Sequence, residues 1–411
     1  MIAELRILGV VLVVGLGGCG GDTGAGGGWH VEHDTIGDTV VVRTITGSVW
    51  DAPAKLAQEV SIGTLAGANE YLFGSIGSLA VDASGSIYVF DHQVPALRKY
   101  TPDGRYLATF GHSGGGPGEY QQPDGGALGV LPDGRVVLRD PGNARINVYS
   151  SEGRPLNSWR IAGGRFVSRG LVVDSVGNVY TQVFGATIGM ATFSAAGEPG
   201  DTIPAPAWDY RGPTVTAQVE GARQTWTVPF SPALRWTFSP LGRMFGGVSD
   251  EYRIDVFGSD GRVLRIARSS DPVPVADGER AAAEFHVLSA MRGLQPDWSW
   301  NGPPIPDQKP AFRELFAGKD GRIWVLLHTA ARPAPERAAD PAPGEPTPPV
   351  PWLEPTLFDV FEPDGTYLGQ VSAPDGFRTT PPPVFGPQHV WAVVEDELGV
   401  QYVVRFRIEH G

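Results

Sequence analysis

Leu79-Ala80-Val81-Asp82-Ala83-Ser84-Gly85-Ser86-Ile87-Tyr88-Val89-Phe90-Asp91 is matched, 49 residues further on, by Leu128-Gly129-Val130-Leu131-Pro132-Asp133-Gly134-Arg135-Val136-Val137-Leu138-Arg139-Asp140. The register extends in both directions without a gap. Upstream, Glu70 and Tyr71 align with Glu119 and Tyr120. Downstream, Leu97 aligns with Ile146, Tyr100 with Tyr149, Gly104 with Gly153, Arg105 with Arg154 and Leu107 with Leu156. A repeat of this length with four alternating apolar runs reads as one unit that cannot bury its faces alone and must stack on its neighbours. In the first unit the strands are expected over 79–81, 87–90, 97–100 and 106–110. Asp103-Gly104 and Asp133-Gly134 mark the tight turns, because glycine supplies the positive φ that such hairpins need.

Working outward, the same punctuation recurs at Asp260-Gly261, Asp320-Gly321 and Asp364-Gly365. A third unit begins at 171–180 and a fourth runs from Trp236 to Gly261. A fifth starts at 312–315, passes through 323–325 and resumes at 357–361. A sixth has only 390–394 and 402–408 before the sequence stops. Its missing outer strand has a candidate in Val60-Ser61-Ile62, which leads into Glu70-Tyr71 much as Thr109-Phe110 leads into Glu119-Tyr120. The expected fold is therefore all-β, a six-bladed β-propeller whose ring is closed by an N-terminal strand, an arrangement that removes exposed sheet edges. Thr39 to Thr44 reads as an additional strand near the closure.

Composition agrees with this class. The 411 residues include 56 glycines and 37 prolines, far more than helical bundles use, and 41% are hydrophobic. The net charge of −13 repels polyanions, so no nucleic acid is expected as a partner.

Residues 1–19 read as a secretory leader, with Arg6 in its n-region and an apolar stretch over 7–16 that is too short to span a bilayer. The stretch ends in Leu16-Gly17-Gly18-Cys19, which resembles the lipobox of bacterial lipoproteins. Cys19, the only cysteine, is the expected lipidation site and membrane anchor, and no intramolecular disulfide can form. Residues 20–38 are read as a flexible tether and 39–411 as a single propeller domain. These features place the chain in a bacterial cell envelope. Gly20, which is not the aspartate associated with inner-membrane retention, favours the outer membrane.

Asp140-Pro141-Gly142-Asn143-Ala144-Arg145-Ile146, followed by Val148-Tyr149 and Gly153, resembles the NHL-repeat pattern. The resemblance implies a six-bladed bacterial propeller over roughly 39–408. It also implies that Asp91 and Asp140 fix the loop between second and third strands by accepting backbone N–H bonds. Some propellers of this kind are metal-dependent lactonases, esterases or lyases with an ion in the central channel. Here His92 and His328 both follow second strands, where a ligand or general base would stand, but no repeated histidine or nucleophile motif accompanies them. The functional reading is a ligand- or protein-binding module without a cofactor or metal; the alternative is a metal-dependent hydrolase or lyase acting in the channel.

Loop lengths indicate the working face. Turns between first and second and between third and fourth strands are uniformly tight, whereas the long insertions, 201–229, 271–310 and 331–355, and the glycine-rich loop 111–123 emerge opposite. Insertions in repeat proteins gather where they bind. Tyr120, Gln121, His92, Asn143, Trp298, Trp300 and His328 are thus the candidate contacts for a small molecule or an envelope protein. Within the second insertion, Asp277 is a plausible cap for a helix over 279–294 with Phe285, Leu288 and Met291 near one face. The prolines of 331–351 are expected to prevent sheet pairing.

Overall fold

A computed structural model describes residues 28–121, 127–161, 165–166, 170–184, 188–258, 260–334 and 349–411. Cys19, the leader and residues 20–27 of the expected tether lie outside these residues, as does most of the proline-rich loop. The described chain is all-β apart from one α-helix and short 3-10 turns, and its sheets are built mainly from consecutive antiparallel strands.

The first sheet contains Ile76–Val81, Ile87–Asp91, Ala96–Tyr100 and Tyr106–Phe110 in sequence order. The second contains Leu128–Val130, Val136–Asp140, Arg145–Tyr149 and Pro155–Arg160 in the same order. These are the strands read from the repeat. The second strand of each is buried along its whole length because both of its faces are covered by neighbouring sheets, which is why it reads as continuous apolar sequence rather than alternation. At the turn after Tyr100, Gly104 takes φ +87° and donates its N–H to the Thr101 carbonyl, so the glycine alone supplies the left-handed step.

A third sheet is built on Val179–Phe184 and Ile188–Phe193. The fourth runs Leu234–Phe238, Met244–Val248, Arg253–Phe257 and Val263–Arg268, and the fifth runs Glu314–Ala317, Ile323–Leu326, Leu357–Phe361 and Tyr367–Ser372. The last strands are Val384–Phe385, His389–Glu395 and Gln401–Glu409. Against Gln401–Glu409 lies Ala54–Ile62, antiparallel, with Val60 opposite Arg405 and Ile62 opposite Val403. The N-terminal strand proposed from Val60-Ser61-Ile62 is thus paired with the C-terminal one. It also touches the fifth sheet in parallel at Val371 and Ser372, joining the two sheets into one ladder.

Apolar clusters sit between successive sheets. Tyr88, Phe90 and Phe110 of the first pack on Tyr120, Leu138 and Tyr149 of the second, and comparable clusters follow from sheet to sheet. A further cluster brings Val393 and Val403 of the last strands against Leu79, Ile87 and Tyr100 of the first sheet.

Two expectations near the N-terminus are corrected. His30–Ile36 is not tether but a strand paired with Thr39–Thr46. Thr39–Thr46 runs parallel to Val263–Arg268 at the outer edge of the fourth sheet, away from Ala54–Ile62. Alternation explains its placement: Val42 and Thr44 are buried while Arg43 and Ile45 are exposed, giving it one apolar face for an existing edge.

The insertions have structure of their own. The helix is Asp277–Leu294, and Ala276 rather than Asp277 occupies its N-cap position. Met291 and Leu288 of the expected face pack inward, joined by Ala283 and Val287 rather than Phe285, and Glu279 is buried on the same side. The helix packs on the hairpin Thr214–Val219 and Ala222–Thr227 from the preceding insertion. The proline-rich loop does pair, briefly: Arg332–Pro333 lies antiparallel to Trp352–Leu353, where the proline occupies a two-strand edge and leaves no ladder bond missing.

Candidate functional site

One stretch from each of six successive groups of strands reaches a common cavity of about 700 Å³. They are residues 78–81, 128–130, 171–173, 235–238, 314–317 and 384–385. These are the first strands of their sheets, or residues adjoining them, so the apolar alternation that packs sheet on sheet also sets what faces the cavity. Trp236 and Phe238 belong to the cluster between third and fourth sheets, and Arg235 and Thr237 alternate with them.

Most of the wall is apolar, and the exceptions are specific. Gln182 is 3% exposed and its Oε1 is buried without a hydrogen-bond partner among the described residues. Ser231 Oγ and Arg235 Nε are in the same condition. Lys319 extends from the tight turn of the fifth sheet and donates to the Val81 carbonyl at 2.6 Å; burial lowers its pKa, with the charge of Asp82 opposing.

An ionic cluster adjoins the cavity and ties the insertions together. His328, on the cavity wall, hydrogen-bonds Glu354 through Nδ1 at 3.0 Å, and Glu354 accepts the Thr329 N–H at 2.9 Å. Lys309, fully buried, donates to Glu279 of the helix at 2.7 Å and lies 3.5 Å from Glu354. Arg313 completes the group at 4.0 Å from Glu354. Burial pushes the Glu354 carboxyl up. The His328 hydrogen bond, the charges of Arg313 and His328 and the Thr329 N–H outweigh it, bringing the pKa down to about 2.

Of the seven residues picked from the sequence, His328 alone lines the cavity. Tyr120 is buried between the first and second sheets, and its hydroxyl bonds the Leu97 N–H and the Pro95 and Phe110 carbonyls. It packs the two sheets together. Trp298, 3% exposed, donates to the Thr216 carbonyl, and Trp300 donates to the Gly302 and Pro303 carbonyls, so both belong to the core of the helix and hairpin insertion. Asn143 bridges Asp140 and the Gly114 carbonyl, locking the glycine-rich loop. Gln121 gives its backbone N–H to Asp140 and leaves its side chain exposed. The His92 ring lies over Gly77, where a Cβ would stand 1.6 Å from its Nε2, and meets Phe90 edge-on. These large side chains lie in long loops because the loops need cores of their own.

Gln182, Ser231, Arg235, Arg313 and Lys319 were not singled out in the sequence. The available signal was a polar residue inside an otherwise apolar strand, as Gln182 is within Val179–Phe184 and Arg235 within Leu234–Phe238. Among the described residues no three His, Cys, Asp or Glu side chains converge as a metal-binding group, and no helix is long and apolar enough to cross a membrane.

No known protein family matches the chain in sequence, and no curated protein does. In shape it is similar to several solved structures at low identity. A member of the DUF4221 family from Bacteroides vulgatus matches with a TM-score of 0.49 and 9% identity over 87% of this chain and 99% of that one. A candidate exported protein from Bacteroides fragilis matches at 0.47 and 10%, over 90% and 99%. A streptogramin B lyase matches at 0.42 and 11%, over 88% and 100%. At these scores the likeness is one of general shape, and no chemistry passes from those proteins to this chain.

Proposed function

We propose that the chain is an exported, lipid-anchored six-bladed β-propeller resembling the NHL type, which binds a small molecule in the cavity at the centre of its ring. The observation that supports this reading best is the cavity itself: its volume lies within the range of small-molecule sites, its wall is mostly apolar, and a few buried polar groups on it lack partners among the described residues. Six interfaces between sheets, the last returning to the first, favour a closed ring. The ionic cluster of Lys309, Glu279, Glu354 and His328 holds the insertions at the cavity's edge, so the loop-rich face serves as the cap of the site rather than its floor. Attachment through Cys19 rests on the lipobox residues, which precede the described body.

The test is titration of the full chain carrying Cys19→Ser with N-phenyl-1-naphthylamine, a neutral dye that fluoresces in apolar sites. Saturable one-site binding is expected, and Thr237→Phe, which pushes bulk into the cavity, should abolish it without unfolding the protein. Binding that survives Thr237→Phe moves the site elsewhere. Cys19→Ser should itself convert a membrane-partitioning protein into one released from lipid, because stable anchoring needs the acyl chains. Unchanged partitioning would remove the anchor from the proposal.

A further inference from the structure

The charges around the cavity are out of keeping with the chain that encloses it. The whole sequence has a net charge of −13. The cavity wall, by contrast, includes Arg235, Arg313 and Lys319, against Glu314 as the one carboxylate among its described lining residues. Arg313 is accounted for by its 4.0 Å approach to Glu354. Lys319 donates to a neutral carbonyl and has no carboxylate within ion-pair distance among the described residues. Among the described residues Arg235 has neither a hydrogen bond nor an ion pair, and its Nε is buried.

A guanidinium cannot shed its proton to relieve burial, as a lysine can. The half-buried Arg235, on the wall of a mostly apolar cavity, therefore presents free donors that an acceptor bringing negative charge would match. Its fork geometry suits two coplanar oxygens, as on a carboxylate or sulfonate. Gln182 and Ser231 add uncommitted hydrogen-bonding atoms that are themselves more than nine-tenths buried, at 3% and 8% exposure. Gln182 Oε1 requires a donor, so a ligand N–H or O–H would satisfy it. Around these points the wall is hydrocarbon, with Leu171, Trp236, Phe238, Phe312 and Phe316 among the lining residues.

Resting on the cavity-binding reading above, we infer that the ligand is an organic monoanion with an apolar body and at least one hydrogen-bond donor, its anionic group held by Arg235. Lys319 adds long-range attraction from the opposite, tight-turn side. Arg235 is thereby the residue that separates acids from their neutral counterparts, whereas the hydrocarbon wall accepts both.

The matched dyes 8-anilinonaphthalene-1-sulfonate and N-phenyl-1-naphthylamine test this, because they share one skeleton with an N–H donor and differ by the sulfonate. The full chain carrying Cys19→Ser should bind the sulfonate at least about ten-fold more tightly than the neutral dye, the size of one charge-assisted contact. Arg235→Gln should abolish that preference and leave neutral-dye affinity unchanged. Arg235→Lys should restore part of it, and Arg223→Gln, which removes a charge from the exposed hairpin, should change nothing. Equal affinities in the unsubstituted cavity, or a preference that survives Arg235→Gln, would overturn the anion inference and leave the cavity reading standing. Failure of both dyes to bind would overturn both. Should Arg235→Gln fail to fold, the ratio of the two affinities in the unsubstituted cavity still decides, and a ratio near one is the overturning result.

Discussion

Asp91 and Asp140 occupy one position of the repeat and do the same work there. Asp91 accepts the N–H groups of Gly74, Ser75, Gln93 and Val94, while Asp140 accepts the Gln121 N–H and the side-chain amides of Asn143 and Asn147. Both are buried, at 0% and 1% exposure. Their role was legible because two copies at one register point to geometry rather than chemistry. A second residue-level pattern went unread: Asp82, Asp174 and Asp396 each begin D-x-x-G-x-x-Y, cap their own turn through two backbone N–H groups and accept the tyrosine hydroxyl six residues on. Asp140→Ala removes the buried carboxylate that Arg145, Asn143 and Asn147 share, so a loss of about 3 kcal/mol is expected in denaturant unfolding; a loss within about 0.5 kcal/mol would show that the loop holds itself. Glu354 gives a prediction with a pH signature. Because its pKa is depressed to about 2, its contribution is present above the unfolded value near 4.3 and is lost as pH falls through about 2. The stability difference between the natural chain and Glu354→Gln, roughly 3 kcal/mol at pH 6, should therefore shrink between pH 4.3 and 2. His328, Arg313, Lys309 and Glu279 are the ionisable groups facing it. A difference that stays constant down to pH 2 would contradict the assignment.

At the scale of elements, strands were read more accurately than insertions, and packing explains the contrast. A strand's two faces alternate with a fixed period of two, so the run 87–90 and the Asp-Gly turns leave little freedom of register. The helix Asp277–Leu294 was found close to its true length, but its buried stripe takes in Glu279 and Val287 rather than Phe285. The shift follows from what the helix meets. Glu279 is drawn inward by Lys309, and Val287 and Met291, about two and three turns further on, follow that azimuth. Partner identity decides helix rotation when hydrophobic and charged residues are mixed, and no periodicity within the helix reports it. Trp298 closes this small core against the hairpin through its bond to the Thr216 carbonyl. Trp298→Ala should cost about 3 to 5 kcal/mol of local stability. Because the cluster is separate from those between sheets, the loss should appear as faster amide exchange over Thr214–Val219 and Asp277–Leu294, with protection in Ile87–Asp91 retained. Uniform loss of protection would mean that the insertions and the sheets fold as one unit.

For the whole molecule, the sequence disclosed the succession of units because each repeats a local pattern, while the cavity stayed hidden because it is made jointly by strands as far apart in the chain as 78–81 and 384–385, no one of which records its neighbours. The order of the sheets also gives the chain a single vulnerable seam. Among the described residues the two ends of the chain meet where Val393 and Val403 pack on Leu79 and Ile87, and that interface is framed by the pairing of Ala54–Ile62 with Gln401–Glu409. In the proposed ring this strand does what a clasp does: it satisfies the outer edge of the last sheet and spares Tyr367–Ser372 an open flank. Leu56 and Ile62 point into the clusters on the two sides of the seam, so the strand is held by side chains as well as by its ladder. A chain beginning at residue 63 should consequently lose cooperative unfolding at its natural midpoint and associate through its exposed edges, seen as concentration-dependent growth in size-exclusion chromatography. A peptide spanning 54–62, added in trans, should bind the open edge and reverse both effects, since it stabilises only the state with that edge formed. If the shortened chain stays monomeric with an unchanged midpoint, the seam is closed by side-chain packing alone and the N-terminal strand is dispensable.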